Sequence, residues 1–307
     1  MSRSCVVVGA GPAGLAAAHR LAAHGVKVTV LEASNAIGGR TRTERVGGFT
    51  VNTGASFLTT FYDETLALLR QLGIETIAPA VQLGSMATPF GRLEMELSAP
   101  RRILQFPLIT LAGKLRTAAM FANAALRRRV HMARPTRLAW LDRGETIEQW
   151  GKRTVGETAY EYLLRPGVEP FFYIGAEQLS AALGKALLRH ALGWQLLVAP
   201  AGMGALCEVL ARDLEVRTGC QASGIDLRER SVQVFHAGGV VEADGCILAA
   251  PAAAIARLEG PLDPHDRADA AAVRTLPNLT LYFGYERPVT VQYPLVTPAG
   301  PGRHPIA

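Results

Sequence analysis

Cysteine is scarce. The 307-residue chain has four, Cys5, Cys207, Cys220 and Cys246, set far apart and never as CxxC. That spacing excludes a zinc knuckle and a disulfide scaffold and predicts buried thiols. The seven histidines never fall as HxxxH or HExxH, so the zinc-hydrolase pattern is missing and no metal site is expected. No apolar run approaches the roughly 20 residues of a bilayer crossing. The opening MSRSCVVVGAG lacks the charge and cleavage pattern of a signal peptide, so a cytoplasmic location is expected. Charge is also modest: 19% of residues are charged and the formal balance is +6, which favours anionic ligands without identifying one. What the chain has is apolar mass, 49% hydrophobic residues, enough to bury a core in one large domain or two.

Residues 5–8 form an apolar run ending at Gly9, residues 14–23 carry helix formers, and His24-Gly25 supplies the stop. The run VKVTVLE over residues 26–32 is β-branched and reads as the parallel strand to which that helix returns. The first 32 residues are therefore one βαβ unit. Residues 33–48 are rich in Gly, Arg and Thr, and residues 61–72 resume a helical pattern before Gly73. From residue 79 to 197 the texture becomes proline-punctuated helices and short strands, which predicts an inserted domain. From Gly202, GMGALCEVLARDLEVRTG reads as a helix and a short strand. VQVFHAGGVVEADGCILAA reads as a hairpin turning at Gly238-Gly239 and then a buried strand, and residues 276–296 hold strand-like pieces.

The strongest local signal is GAGPAG, where Gly9, Gly11 and Gly14 complete GxGxxG between a strand and a helix. The first glycine permits the tight turn, the second lets the backbone approach a pyrophosphate, and the third allows close helix–strand contact. The helix N-terminus favours negative charge. Glu32, at the end of the second strand, is placed to accept hydrogen bonds from a ribose, and a carboxylate there argues against a 2'-phosphate. This pattern alone does not separate a nicotinamide site from a flavin site. The segment EASNAIGGRTRT adds Gly38 and Gly39, whose amides can face phosphate, and Arg40 as a cationic donor. Taken alone it would also suit a flexible basic loop.

GAGPAGLAAAHRLAAHGVKVTVLEASNAIGGRTRT resembles the N-terminus of the flavin-dependent amine oxidase superfamily, and VNTGASFL resembles the stretch that follows in those proteins. Asn52 stands where many members carry an acidic residue. The middle segment VGETAYEYLLRPGVEPFFYIGAEQLSAAL is most similar to the protoporphyrinogen-oxidase-like branch. The resemblance implies an α/β fold, a Rossmann-like FAD-binding domain in two parts, 1–78 and 198–270, interrupted by a mixed α+β substrate domain. That second domain would comprise a largely helical part, 79–197, and incomplete strands over 271–307. FAD is the implied cofactor, held by Gly9, Gly11, Gly14, Glu32, Ala33, Gly38, Gly39 and Arg40. The resemblance further implies that Gly54, Ala55 and Ser56 pass close to the flavin, that Ala222 borders the adenine, and that Ala250 lies beside the cofactor.

The implied activity is oxidation of a hydrophobic amine or porphyrinogen-like substrate by hydride transfer to flavin, with oxygen or another acceptor taking the electrons. The flavin carries that chemistry, so no catalytic triad is required, and no catalytic side chain is assigned. A flavin-dependent isomerase or mutase is the first alternative. Members of the superfamily carry a further Gly-Asp motif and closing helix, which this sequence does not show before Ala307. The second alternative is accordingly a cofactor-binding subunit completed by another chain. Phe57, Phe61, Tyr62, Phe171, Phe172 and Tyr173 are candidates for a substrate wall, with ordinary core packing the favoured role for any one. RRILQFPLITLAGKLRTAAMFANAALRRRV leaves several roles open: peripheral contact with an anionic membrane, reception of a hydrophobic or carboxylated substrate, or a solvated helix. It lacks the interleaved aromatics of a nucleic-acid platform, and no nucleic-acid partner is expected.

Overall fold

The computed structural model describes residues 3–78, 84–88, 91–95, 106–126, 130, 132, 136, 138–190, 193–287 and 295–298. Its strands are β1 Ser4–Val8, β2 Lys27–Leu31, β3 Thr43–Val46, β4 Phe49–Asn52, β5 Leu58–Thr59, β6 Gly84–Thr88 and β7 Gly91–Met95. They continue as β8 Leu196–Leu197, β9 Glu215–Arg217, β10 Ala222–Leu227, β11 Val232–His236, β12 Gly239–Ala243, β13 Gly245–Leu248 and β14 Leu295–Pro298. The helices are α1 Pro12–Ala22, α2 Asp63–Gln71, α3 Leu111–Leu126, α4 Ile147–Val155, α5 Arg165–Phe172, α6 Ala181–His190, α7 Ala205–Ala211, α8 Ala252–Ile255 and α9 Pro264–Ala272. The architecture is α/β, with both parallel and antiparallel sheets.

The chain divides into two compact units. The first comprises Met1–Phe57, Thr65–Ile77 and Val198–Gly284; the second comprises Leu58–Glu64, Ala78–Leu197 and Tyr285–Ala307. Residues 271–284 thus group with the first unit, and the short stretch 58–64 with the second.

In the first unit β1 and β2 pair in parallel, Val6 opposite Thr29 and Val8 opposite Leu31. Helix α1 is the crossover between them. Strands β13 and β9 extend the sheet to the order β13-β1-β2-β9, all parallel. A strand covered on both faces must be apolar throughout, which is why CVVV and VTVL read as unbroken runs. One face packs Val7, Val30, Leu15 and Ala18 with Cys207 and Leu210 of α7. The other packs Val6, Val8 and Leu31 on Val232, Val234 and Ala243 of the antiparallel sheet β10-β11-β12. Each fully buried Val or Leu contributes about 2 kcal/mol of burial. Asp244 ties the sheet's start, accepting from the Ser4 N–H (2.6 Å) and hydroxyl (2.8 Å).

The second unit is mainly helical. Ile147, Trp150, Val155, Tyr160, Leu164 and Val168 form its core with Met120 and Phe121 of α3. Thr146 caps α4 in a reciprocal box with Gln149, the local arrangement that satisfies two otherwise orphaned amides. A π-helical stretch over Tyr160–Leu164 leads into α5.

Three expectations need correction. Cys5 and Cys207 are buried, but Cys220 and Cys246 are only half-buried, because they lie toward the margins of the packed layers. Residues 273–287 form no strand. Their alternating apolar pattern finds no ladder partner among the described residues, and Leu279 and Phe283 are 84% and 75% exposed. Among the described residues of the 276–296 region and its margin only β14 is regular, pairing in parallel with β6. The predicted helix over 61–72 begins at Asp63 instead, because Phe61 and Tyr62 belong to a turn. In the basic middle stretch, Arg101, Arg102 and the arginines at 127–129 lie outside the described residues.

Candidate functional site

The ends of the central strands fix the first turn. Gly9 N–H donates to Leu31 O (2.8 Å) and Ala249 N–H donates to Val8 O (2.8 Å). The turn Gly9-Ala10-Gly11 therefore lies between the C-terminal ends of β2 and β13, where open parallel sheets leave their ligand crevice. Helix α1 begins there with Gly11 at its cap and Pro12 in its first turn, and no side chain caps it. Its first N–H groups concentrate positive partial charge without a side-chain acceptor. A methyl group at Gly14 would overlap the Gly9 carbonyl oxygen, whereas a methyl at Gly11 would meet nothing within 4 Å. Packing demands the former glycine; the latter faces open space.

The Glu32 carboxylate reaches back to this turn. Its Oε2 accepts from Ala10 N–H (2.7 Å), and its Oε1 accepts from the Ser34 N–H (2.9 Å) and hydroxyl (2.8 Å). An ionised carboxylate offers about four acceptor sites, so capacity remains for a further donor. Ser34 was missed in the sequence, where a hydroxyl two residues past an acidic side chain was its one signal. Cys220 N–H donates to Glu32 O and Gly219 N–H to Ser34 O, both at 2.8 Å. These bonds lay the approach to β10, and hence half-buried Ala222, beside the end of β2. Exposed Ala33 sits between the two anchored residues. Ala250 follows Ala249 at the end of β13 and is half-buried against the second core face.

The downstream glycines come to the same place. Gly38 N–H donates to Ala10 O (2.9 Å). Gly39 sits at φ +49° with its missing side chain directed to within 3.3 Å of the Gly11 Cα, so the two glycine turns lie against each other. Arg40 O accepts from Ala55 N–H and Arg42 O from Thr53 N–H, both at 2.9 Å, which places Gly54 and Ala55 alongside Arg40. Gly39, Arg40, Gly54, Ala55 and Ser56 are all exposed.

A clamp that sequence reasoning did not find supports this surface. Thr43 Oγ1 donates to Asn52 Oδ1 (2.7 Å), which also accepts from Met203 N–H (3.0 Å), and Gly204 N–H donates to Thr43 Oγ1 (2.8 Å). The hairpin β3–β4 is thereby fastened to the start of α7, and the Tyr282 hydroxyl donates to the Asn52 carbonyl oxygen. Asn52 Oδ1 is the acceptor on which the Thr43 and Met203 bonds converge. The partners are 151 and 161 residues away in sequence, so no local signal could have announced them.

Sequence comparison settles the family, since the pattern of flavin containing amine oxidoreductases matches residues 12–304. The chain belongs to that family. It is 47% identical over 76 residues to putrescine oxidase from Kocuria rosea, a match covering 25% of this chain and 16% of that protein. A solved putrescine oxidase bound to putrescine superposes with a TM-score of 0.71 at 23% identity, covering 88% of this chain and 63% of the other. Cyclohexylamine oxidase from Brevibacterium oxydans gives a TM-score of 0.69 at 20% identity, covering 89% and 63%. The chain thus spans less than two thirds of these relatives, and the structural likeness speaks for the fold.

Burial disfavours the thiolate form of two cysteines of the first unit. Burial pushes the Cys207 thiol up, with Thr41 Oγ1 3.6 Å from its sulfur, and burial pushes Cys246 up to about 11. Among the described residues no group of three His, Cys, Asp or Glu could hold a metal ion. The aromatic candidates divide by unit. Phe57 closes the first unit's NTGASF segment. In the second, Phe61 is buried, edge-on to Tyr62 (5.2 Å), tilted against Phe171 (6.2 Å) and stacked on His190 (4.8 Å). Phe172 packs on the helical core, while Tyr173 is 53% exposed at φ +56°.

Proposed function

We propose that this chain binds FAD through its first unit and belongs to an oxidoreductase acting on a small hydrophobic amine. The observation that carries the reading is the uncapped start of α1 beneath the open space at Gly11, with Gly39 against it, Arg40 next in the chain and Glu32 anchored beside it. The residues fit the cofactor's parts. Gly9 and Gly14 hold the turn's shape, while the α1 amides, Gly11, Gly38, Gly39 and Arg40 offer donors to a pyrophosphate. Glu32, beside Ala33, offers its remaining acceptor sites to ribose hydroxyls. Gly54, Ala55 and Ser56 are read as the flavin-facing segment, Ala222 as the adenine border and Ala250 as a neighbour of the cofactor. The parallel sheet with its first crossover is read as Rossmann-like, and the second unit as the substrate domain.

Bound FAD would supply a two-electron acceptor for hydride from the carbon beside the substrate nitrogen, the electrons passing on to oxygen or another acceptor. The chain's own part is to bind, orient and shield; no side chain is assigned as base. Similarity to putrescine and cyclohexylamine oxidases favours an amine over a porphyrinogen, and does not single out the protoporphyrinogen-oxidase-like branch.

The test is the visible spectrum of the purified full chain after FAD loading and desalting. Retained flavin bands support the reading. Gly11→Ala should keep the far-UV spectrum and melting temperature but lose the flavin, and Glu32→Ala should weaken FAD affinity roughly tenfold or more through lost hydrogen bonds. Anaerobic bleaching of the loaded chain by primary amines would establish the reaction class; substrate conversion with no net oxidation would replace it with an isomerase. A second reading, completion by further polypeptide, is favoured by the exposed apolar residues Leu279, Leu281 and Phe283 and by the length that relatives have beyond this chain. Folded chain that keeps flavin only when that further polypeptide is co-expressed would select it.

A further inference from the structure

We propose that the outward face of α3 docks on an anionic lipid surface. The helix buries Gly113, Thr117, Met120, Phe121 and Ala124 in the second unit's core. Its opposite side carries a single exposed charge, Arg116, where an ordinary solvated face carries several. Leu111, Leu115 and Leu126 are 70%, 60% and 80% exposed, alanines fill most of the positions between them, and Arg116 and Asn123 are its exposed polar residues. At 1.5 Å per residue this apolar stripe runs about 24 Å along the surface. Among the described residues no helix is long and apolar enough to cross a membrane, so the contact is one that lies along the interface.

Charge identifies the occupant. Between Glu96 and Asp142 the sequence has no acidic residue and nine Arg or Lys, including Arg101-Arg102 before the helix, Lys114 and Arg116 within it, and the run RRR after it. In the rest of the chain acidic residues outnumber basic ones, so the positive balance of +6 belongs to this stretch. Next to α3, two adjoining surface cavities of about 110 and 200 Å³ share Trp150 and Lys185. Asn123 of α3 lines the first; Arg143, Arg153 and Trp140 line the second. Trp140 is 62% exposed, and Arg153 is held by Glu145. Exposed leucines on a helix, with arginine, lysine and an exposed indole in the neighbouring cavities, are the composition of a surface that lies in a lipid interface. A second copy of the chain would set like charge against like. A nucleic acid would meet leucine and alanine where it needs stacking partners and donors.

The test is co-sedimentation of the full chain with phosphatidylcholine vesicles, with and without phosphatidylglycerol, at low and high salt. The expected result is pelleting that requires phosphatidylglycerol and weakens with salt. Leu115→Glu and Leu126→Ser should each lower vesicle affinity, the former roughly tenfold or more, with unchanged far-UV spectra because both positions are exposed. Arg116→Glu should lower it about 30-fold, two charges' worth at the lipid surface. The proposal is overturned by no pelleting, by equal pelleting on neutral vesicles, or by variants that bind as well as the parent chain. Binding to duplex DNA, or a dimer broken by Leu115→Glu, in the absence of vesicle binding would overturn it equally.

Discussion

The two units hold their shapes by different means. In the first, the candidate site is built from backbone against backbone: Gly14 under the Gly9 carbonyl, Gly38 on Ala10, Gly39 against Gly11, Ala55 on Arg40. In the second, large side chains decide, with Trp150, Tyr160 and Ile147 buried together and Lys152 bridging Glu148 and Glu157 at the surface. Where backbone meets backbone there is no side chain to trim, so the weak point is an atom added at the contact. A side-chain core has the reverse weakness, and removal does the damage.

The sharpest break of this contrast is Gly14→Ala. One methyl placed onto the Gly9 carbonyl should cost on the order of 4 kcal/mol or more and abolish flavin retention, read by thermal melting and the desalted spectrum. A variant as stable as the parent would mean that the helix can lift away from the turn. Ile147→Ala in the second unit is the converse experiment. Ile147 is fully buried, so the variant should lose about 3 kcal/mol by urea unfolding while flavin affinity in the first unit stays unchanged.

Asn52→Ala sharpens the comparison, because here a side chain enters the backbone-built unit. It leaves Met203 N–H and Thr43 Oγ1 without their acceptor and should cost about 2 kcal/mol; Asn52→Asp should recover most of that in the same unfolding assay. Thr146→Ala removes the α4 capping box for about 1 kcal/mol.

The smallest effects are opposite pH slopes. In the first unit the Ser4 N–H and hydroxyl hold the Asp244 carboxyl below its ordinary 3.8. Its contribution is present above that ordinary value and is lost as pH falls through the lower folded value. In the second unit burial raises Glu161 above its ordinary 4.5, with Arg165 and Lys152 offsetting part of the rise. Its contribution is present below that value and is lost as pH rises through the folded one. Asp244→Asn should therefore flatten the acid limb of the stability profile, and Glu161→Gln should flatten the decline as pH rises toward neutral. Unchanged profiles in both variants would remove these two groups as its cause.

Much of the first unit was legible because its signals are local. The βαβ unit spans 32 residues, and strand periodicity, the glycine turn and the helix stop fall inside one short window. The hairpin at Gly238-Gly239 was legible for the same reason, with β11 and β12 pairing Val234 opposite Val241. The strand-like pattern after residue 273 misled, because alternation describes a face that could pair and says nothing about whether a neighbour is there. The clamp from Thr43 and Asn52 to Met203 and Gly204 was invisible, since a hydrogen bond across some 150 residues leaves no spacing to read.

The sequence by itself determined which residues turn, which strands are covered on both faces and which glycines are needed, because steric limits on the backbone and the period of side chains act within a few residues. Only the tertiary structure decided that the GAG and GGR turns touch, that Glu32 is anchored by Ala10 and Ser34, and that the leucines of α3 face outward while its glycine and threonine face the core. Those are questions of which surfaces meet, and burial of area between distant segments answers them where no local preference can.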